Sequence, residues 1–262
     1  SFFKIEYSLL NTALEISDAG RFRDYLFSKG MSSSSVKRVF SSVRAVVNIA
    51  IKEHGLAASN VFSGTFIPND EVKNQRLPIP DDVLAVVQEE CRHLDDEPRW
   101  LIALISDTGM RLAEAAGLLS EDIRLDAEIP HINLCEHAWR TLKTSSSQRK
   151  IPLVGSSLWA AEKIVQQGHQ FAFPKYCNEQ KCSSNSASAA LNKWLKPRVP
   201  YNCVIHSFRH SLRDRLRAVE CPADIIDAIG GWTTEGVGHS YGTGHNVKVM
   251  HNWLRKTDLE SN

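Results

Sequence analysis

Helical periodicity dominates this sequence and limits the folds open to it. In the segment 36–53, seven apolar residues recur at steps of three and four positions, which places them on one face of an amphipathic helix. The serines at 32–35 offer an N-cap for this helix, and Gly55 ends it. An earlier helix is indicated over 21–29, closed by Gly30. The segment 1–66 is therefore predicted to be a small helical domain.

A polar stretch without periodicity follows at 67–79, and we interpret it as a linker. Pro80 and the two aspartates after it then open a new helix, which begins a second, larger domain over 80–262. Within that domain, helical patterns cover 81–93, 98–108, 111–118, 156–167, 184–196, 206–219, 222–229 and 246–256.

A short run of strand-like segments interrupts these helices. HINLC at 131–135, AWRTLK at 138–143 and QRKIPL at 148–153 have strand character, and a Ser-rich turn separates the last two. The predicted fold class is therefore mainly α with a small β-sheet, an α+β arrangement in which a small helical domain precedes a larger one.

Composition excludes several classes of protein. No apolar run approaches the roughly 18 residues that a membrane span requires, and the first residues lack the pattern of a secretory signal. Among the six cysteines only Cys177 and Cys182 are close, and a four-residue gap without a second Cys/His pair is a poor zinc signature. We therefore expect reduced thiols, no zinc site, no membrane partner and a cytoplasmic protein.

Charge is balanced over the chain but not along it. The formal net charge is +1, yet 81–128 is acidic, whereas 193–217 holds seven Lys or Arg residues and one Asp. Four of these cations, Arg209, Arg213, Arg215 and Arg217, lie in one predicted helix. A solvated helix face usually alternates charges, so the surplus favours a site for a polyanion.

Several residues of the second domain could form such a site. They are Arg111 and Glu114 in TGMRLAE, Lys143 beside the Ser-rich turn, His206, Arg209 and His210 in HSFRHS, Trp232 after a glycine pair, and Tyr241 in a glycine-rich segment. Each has an ordinary structural alternative. An Arg–Glu pair three apart is commonly a surface ion pair, a hairpin Lys a solvated charge, and a Trp part of the core.

The order of these residues carries more information than any one of them. The chain resembles the tyrosine recombinase (phage integrase) family in its Arg within TGxRxxE, its hairpin Lys, its H-x-x-R, its Trp or His after a glycine, and its Tyr nine residues later. Trp232 follows Arg209 by 23 residues and precedes Tyr241 by nine, as the family pattern requires. The resemblance covers about 80–256, and 1–66 resembles the core-binding domain of the family.

The resemblance implies a site-specific recombinase or integrase of a phage or other mobile element, which needs neither a metal nor another cofactor. Tyr241 would attack the scissile phosphate and form a 3′-phosphotyrosine, and Arg111 and Arg209 would hold the non-bridging oxygens. Lys143 would protonate the leaving 5′-oxygen, His206 would assist proton transfer, and Trp232 would donate its indole N–H. Glu114 and His210 would support these groups.

The same resemblance implies partners and further contacts. The chain would act on double-stranded recombination sites as a homo-oligomer, a tetramer joined through the C-terminal helix, together with accessory DNA-bending proteins in a bacterial cytoplasm or nucleoid. Candidate DNA contacts are Lys37, Arg38, Arg44, Arg140 and Arg213. The first domain starts late and lacks a first helix, so we expect it to be incomplete at its N-terminus. A type IB topoisomerase uses the same chemistry and is the alternative.

Overall fold

The computed structural model describes residues 15–69, 76–142, 147–232 and 245–259. The chain divides into two compact units, Ser1–Asn74 and Gln75–Asn262. The division falls inside the stretch interpreted as a linker. Ile67 is buried in the core of the first unit and Ile79 in that of the second.

The first unit contains two helices, α1 (Ile16–Ser28) and α2 (Ser33–Glu53). Ser32 caps α2 by accepting a hydrogen bond from the backbone N–H of Ser35. The apolar face read from the sequence packs against α1 and the segment after α2, and its buried centre holds Phe40 in ring contact with Phe62. Helix α1 begins five residues before the predicted start at 21, because the carboxylate of Asp18 accepts from the backbone N–H of Glu15 and closes its first turn.

The second unit is built around α4 (Glu97–Thr108), whose residues from Trp100 to Thr108 are all buried. Its other α-helices are α3 (Asp81–Leu94), α5 (Leu112–Ala116), α6 (Gly155–Gln166), α7 (Ser184–Leu195), α8 (Ser207–Ala218), α9 (Ala223–Gly230) and α10 (Val247–Leu254). A short 3-10 turn, Arg255–Thr257, follows α10. A second core cluster joins α8, α9 and α10 through Leu212, Ile229 and Leu254.

A small antiparallel sheet of three strands, in the order β1 (Ile123–Arg124), β2 (His131–Leu134) and β3 (Arg149–Pro152), lies in the second unit. The register pairs Ile132 with Ile151 and Leu134 with Arg149. Because side chains alternate along a strand, Arg149 faces the same buried side as Ile151, whereas Lys150 faces the exposed side. The predicted class, mainly α with a small sheet, is confirmed.

The segment AWRTLK was predicted as a strand, and this prediction is wrong for its described residues. The backbone reverses there instead, with reciprocal N–H to C=O bonds between His137 and Arg140 of 3.2 and 3.0 Å. The indole of Trp139 donates to the Gly117 carbonyl at 3.1 Å and holds the turn against α5. The strand β1 was not predicted, because two residues carry no periodicity.

Candidate active site

Arg111 lies at the start of α5, where the chain leaves α4 through Gly109 in a left-handed conformation with φ of 59°. A Cβ atom at Gly109 would lie 2.8 Å from Cδ2 of Leu212, so a glycine is needed both for the turn and for the approach of α8. Arg111 donates to the Glu114 carboxylate from its backbone N–H, at 3.0 Å, and from its guanidinium. The TGMRLAE motif thus places Arg111 in a tight turn between α4 and α5.

Glu114 is buried with its side chain 4 % exposed, and two arginines surround it. Burial favours a higher pKa for this carboxyl, but the charge of Arg149 and the hydrogen bonds from Arg111 outweigh it and hold the pKa of Glu114 below its usual range. The carboxylate therefore stays ionised and orients Arg111.

Arg209 enters the same region from α8. Its Nη1 donates to the Gly109 carbonyl at 2.7 Å, which connects α8 to the turn that carries Arg111. Its guanidinium carbon lies 4.2 Å from the centroid of the Trp232 ring. Burial and the charges of Arg111 and Arg149 lower the pKa of Arg209 to about 9, so the group remains protonated at neutral pH.

One guanidinium nitrogen of Arg209, Nη2, is buried and has no hydrogen-bond partner among the described residues. A buried charged donor without an acceptor is costly, and an anion beside it would remove that cost. With Arg111 and Arg149, Arg209 forms a group of three guanidiniums against the single carboxylate of Glu114. The net positive charge of this group attracts a phosphate, and Arg209 carries the donor that would bind it.

His206 precedes α8 and its ring lies 5.3 Å from that of His210. Burial, followed by the positive charges of His210, Arg76, Arg209 and Arg111, lowers the pKa of His206 to about 4. The ring is therefore neutral at physiological pH and can accept a proton. It also borders a cavity of about 240 Å³ that Arg76, Ser188 and Asn192 help to line.

Trp232 follows α9 through Gly231, whose φ of 62° ends the helix. A Cβ atom at Gly230 would lie only 1.8 Å from Cζ3 of Trp232, so the ring packs directly onto the glycine backbone. The distance from Arg213 Cζ to the centroid of the same ring is 5.0 Å. The glycine pair before Trp232 thus serves the placement of the indole beside Arg209.

Two predicted catalytic residues, Lys143 and Tyr241, lie outside the described residues. The described part of the site brings together Arg111, Glu114, Arg209 and Trp232, with His206 at the N-cap of α8. The catalytic roles of all six predicted residues stay predictions.

Some functional contacts were not foreseen in the sequence. Arg149 donates to Glu114, and Ser147 accepts from Arg111 at 3.0 Å through its hydroxyl. The alternation of Arg149, Lys150 and Ile151 along β3 is the signal that could have revealed an inward-facing arginine.

The predicted DNA contacts fall in different settings. Arg38 is exposed, Lys37 bonds to the side chain of Asn69, and Arg44 donates through Nε to the Phe62 carbonyl at 2.7 Å. Arg140 is 4 % exposed, which disfavours a direct contact with a DNA backbone. Arg213 pairs with Asp227 at 3.6 Å and is only partly exposed.

Within the described residues, Asp122, Cys135 and His137 bring three candidate metal ligands within 4.8 Å of one another. Their contacts are explained without an ion. His137 Nε2 lies 2.8 Å from Asp122 Oδ2, and that oxygen also accepts from the Leu119 N–H at 2.9 Å. Burial and Asp122 raise the pKa of the Cys135 thiol, so the set is a hydrogen-bonded cluster.

Helix α10 packs on its own chain. Met250 and Leu254 are buried in the core cluster that contains Leu212 and Ile229. The apolar face that the sequence offered to a neighbouring protomer is therefore occupied within the molecule, and its role between protomers stays a prediction. No helix in the described ranges is long and apolar enough to cross a membrane.

Comparison with solved structures identifies the fold. A structure of the Tn1549 transposon integrase in complex with circular intermediate DNA is 16% identical, with a TM-score of 0.61 over 87% of this chain and 84% of that one. A lambda integrase dimer bound to a COC′ core site is 14% identical, with a TM-score of 0.61 over 92% and 80%. A lambda integrase tetramer bound to a Holliday junction is 15% identical, with a TM-score of 0.59 over 87% and 64%.

Comparison of sequences identifies the family. No curated protein sequence matches the chain. The sequence model of the phage integrase family, in contrast, matches residues 80–242, which is more than half of the chain and spans every predicted catalytic position. The resemblance read from the motif order is therefore confirmed, and the chain belongs to the phage integrase family of site-specific tyrosine recombinases.

Proposed function

We propose that this recombinase cleaves and rejoins DNA with Tyr241 as its nucleophile and with Arg111 and Arg209 as its phosphate-binding groups. The observation that carries the proposal is the buried Nη2 of Arg209, which has no acceptor among the described residues and belongs to a guanidinium beside Trp232. Such a donor is satisfied by a phosphate oxygen, and it favours the extra negative charge that develops during phosphoryl transfer.

The reaction balances without an external energy source. The phenolic oxygen of Tyr241 forms a bond to phosphorus, and the bond from phosphorus to the 5′-oxygen breaks. Lys143 supplies the proton to that leaving oxygen, and neutral His206 accepts the proton of the tyrosine. Rejoining runs these steps in reverse, so the phosphotyrosine stores the bond energy.

We infer that the reaction takes place in an assembly on DNA. The Tn1549 and lambda integrases were captured in complexes with DNA, including a dimer and a tetramer. By analogy the partners of this chain are double-stranded recombination sites and further copies of itself, with accessory DNA-bending proteins, in the cytoplasm. Nothing in the fold or the comparisons favours the topoisomerase alternative.

Covalent trapping tests the nucleophile. A labelled, nicked duplex made from the junctions that flank the coding sequence would be incubated with the wild type and with Tyr241→Phe, then run on a denaturing gel. We expect a protein–DNA adduct that Tyr241→Phe abolishes. Tyr201→Phe is the matched control, because Tyr201 is 84% exposed and lies outside the proposed site.

Two results would contradict the proposal. An adduct that persists in Tyr241→Phe would assign the nucleophile elsewhere. An absent adduct in the wild type, with sequence-specific binding intact, would show that this chain binds the site without cleaving it.

A further inference from the structure

Arg149 makes three hydrogen bonds that the catalytic assignments do not use. Its Nε donates to the Ile229 carbonyl at 2.8 Å, its Nη1 to the Ser147 carbonyl at 2.7 Å, and its Nη2 to Glu114 Oε2 at 3.3 Å. The side chain is 7% exposed, so these bonds form in a largely dry environment. Every nitrogen of the guanidinium has an acceptor.

Two of the three acceptors, on Glu114 and Ile229, belong to distant segments of the chain, whereas Ser147 lies two residues before Arg149. Glu114 orients Arg111 at the start of α5, and the hydroxyl of Ser147 accepts from the same arginine. Ile229 lies in the last turn of α9, directly before the glycine pair and Trp232. One side chain on β3 therefore contacts the carboxylate that orients Arg111, the helix end that precedes Trp232, and the backbone of Ser147, whose hydroxyl also accepts from Arg111.

The end of α9 depends on this contact. The last carbonyls of a helix lack partners within the helix, and a cation beside them is favourable. Arg149 supplies both a donor and a charge to the Ile229 carbonyl. A lysine at this position would retain the charge but has a single nitrogen, which cannot serve three acceptors in a fixed plane.

We propose that Arg149 is a positioning residue that fixes Glu114, the backbone at Ser147 and the end of α9 in one arrangement, and so aligns the groups that bind the scissile phosphate. The inference rests on the function proposed above. Arg149 acts through Glu114, Ser147 and Ile229 and does not itself touch the phosphate.

The test measures chemistry and binding separately in the full chain. Arg149→Met and Arg149→Lys would be compared with Lys150→Met, since Lys150 is the exposed neighbour on the opposite face of β3. We expect both Arg149 variants to cleave the nicked duplex about 10- to 100-fold more slowly in single turnovers, as supporting contacts typically do. The Kd for DNA should change less than about threefold, and Lys150→Met should behave as the wild type.

A double variant separates positioning from charge balance. Arg149→Met alone leaves the buried Glu114 carboxylate with fewer cations, which lowers the melting temperature. Adding Glu114→Gln removes that charge, and we expect the melting temperature to recover while cleavage remains slow. It also provides a folded protein if the single variant fails to fold.

The outcomes are distinct from those of the trapping experiment. A wild type that forms no adduct refutes the proposed function. A wild type that cleaves, with Arg149→Lys as fast as the wild type, refutes the positioning role alone. Recovery of the cleavage rate in the double variant would also refute it, because Arg149 would then act only by balancing the charge of Glu114.

Discussion

At the scale of single residues, the contact between Gly230 and Trp232 leaves no room for a methyl group. In Gly230→Ala the new Cβ would lie 1.8 Å from the indole, so the ring must move away from Arg209. We expect a loss of about 1–3 kcal/mol in the free energy of unfolding and a slower single-turnover cleavage. Urea denaturation and the trapping assay measure the two effects.

A helix glycine without neighbours provides the comparison. Gly20 in α1 has no atom within 4 Å of an added Cβ, so Gly20→Ala should raise the free energy of unfolding by up to about 1 kcal/mol. Unchanged stability and cleavage in Gly230→Ala would show that the indole is not held against the glycine.

His206 gives the chain a predictable response to acid. Its pKa in the folded protein, about 4, is below the ordinary value of 6.5, so protonation favours the unfolded state. The stability contributed by the neutral ring is present above pH 6.5 and is lost as the pH falls towards 4. His206→Gln removes this titration, and its free energy of unfolding should fall less between pH 7 and pH 4.5 than that of the wild type.

The effect of His206 is the difference between the pH profiles of the free energy of unfolding of the wild type and of His206→Gln. His251 also has a lowered pKa, caused by burial and Arg255, and it titrates in both. Parallel pH profiles for the wild type and His206→Gln, measured by urea denaturation at each pH, would contradict the assigned environment of His206.

At the scale of elements, α8 shows how one helix uses four arginines in different ways. Arg209 faces the site and Arg213 pairs with Asp227. Arg215 is buried and donates to Asp107, to the Ser106 carbonyl and to the Thr257 carbonyl, whereas Arg217 forms an exposed pair with Asp214. The acidic segment 81–128 thus supplies the partner of one α8 cation, Asp107 for Arg215.

Arg215→Met and Arg217→Met form a matched pair of substitutions on α8. Loss of Arg215 leaves Asp107 buried with its charge uncompensated, which should cost about 3–5 kcal/mol in the free energy of unfolding. Loss of Arg217 removes a solvent-screened pair and should cost less than about 1 kcal/mol. Urea denaturation of both variants checks this, and similar losses would contradict the contrast in burial.

The elements also show what the sequence could and could not predict. Helices α3, α4, α6, α7 and α8 lie within two residues of their predicted bounds, because apolar periodicity and end signals act over short distances. The segment after β2 was mistaken for a strand because the contact of Trp139 with Gly117 is a tertiary one.

The sequence likewise predicted some residues of the candidate site and missed another. The order of the motifs selected Arg111, His206, Arg209 and Trp232, but not Arg149, which contacts Glu114 and the end of α9. The role of Arg149 depends on the register of β3 and on a carbonyl 80 residues later, which local patterns do not contain.

At the scale of the whole molecule, the tryptophans are distributed unequally. All six occur from Trp100 onwards, so none belongs to the unit Ser1–Asn74. Phe40→Ala removes a fully buried ring from the first unit and should destabilise that unit by about 3–5 kcal/mol. Tryptophan fluorescence should then report an unchanged urea transition, while circular dichroism shows part of the helix lost earlier.

Phe208→Ala is the counterpart in the second unit, because Phe208 is fully buried in the core that contains α4. It should move the fluorescence transition to lower urea. A fluorescence transition that shifts equally in Phe40→Ala would show that the two units unfold together.

The Nη2 of Arg209, which lacks an acceptor in the part of the chain that the structure describes, also affects how the protein behaves in ordinary laboratory salts. Compact oxyanions such as sulfate or inorganic phosphate resemble the group that this nitrogen is placed to accept, and chloride resembles it less. An ion that binds the folded state alone raises the melting temperature by mass action. Sulfate would then both protect the purified protein and compete with its DNA, so affinities measured at equal ionic strength would differ with the choice of anion.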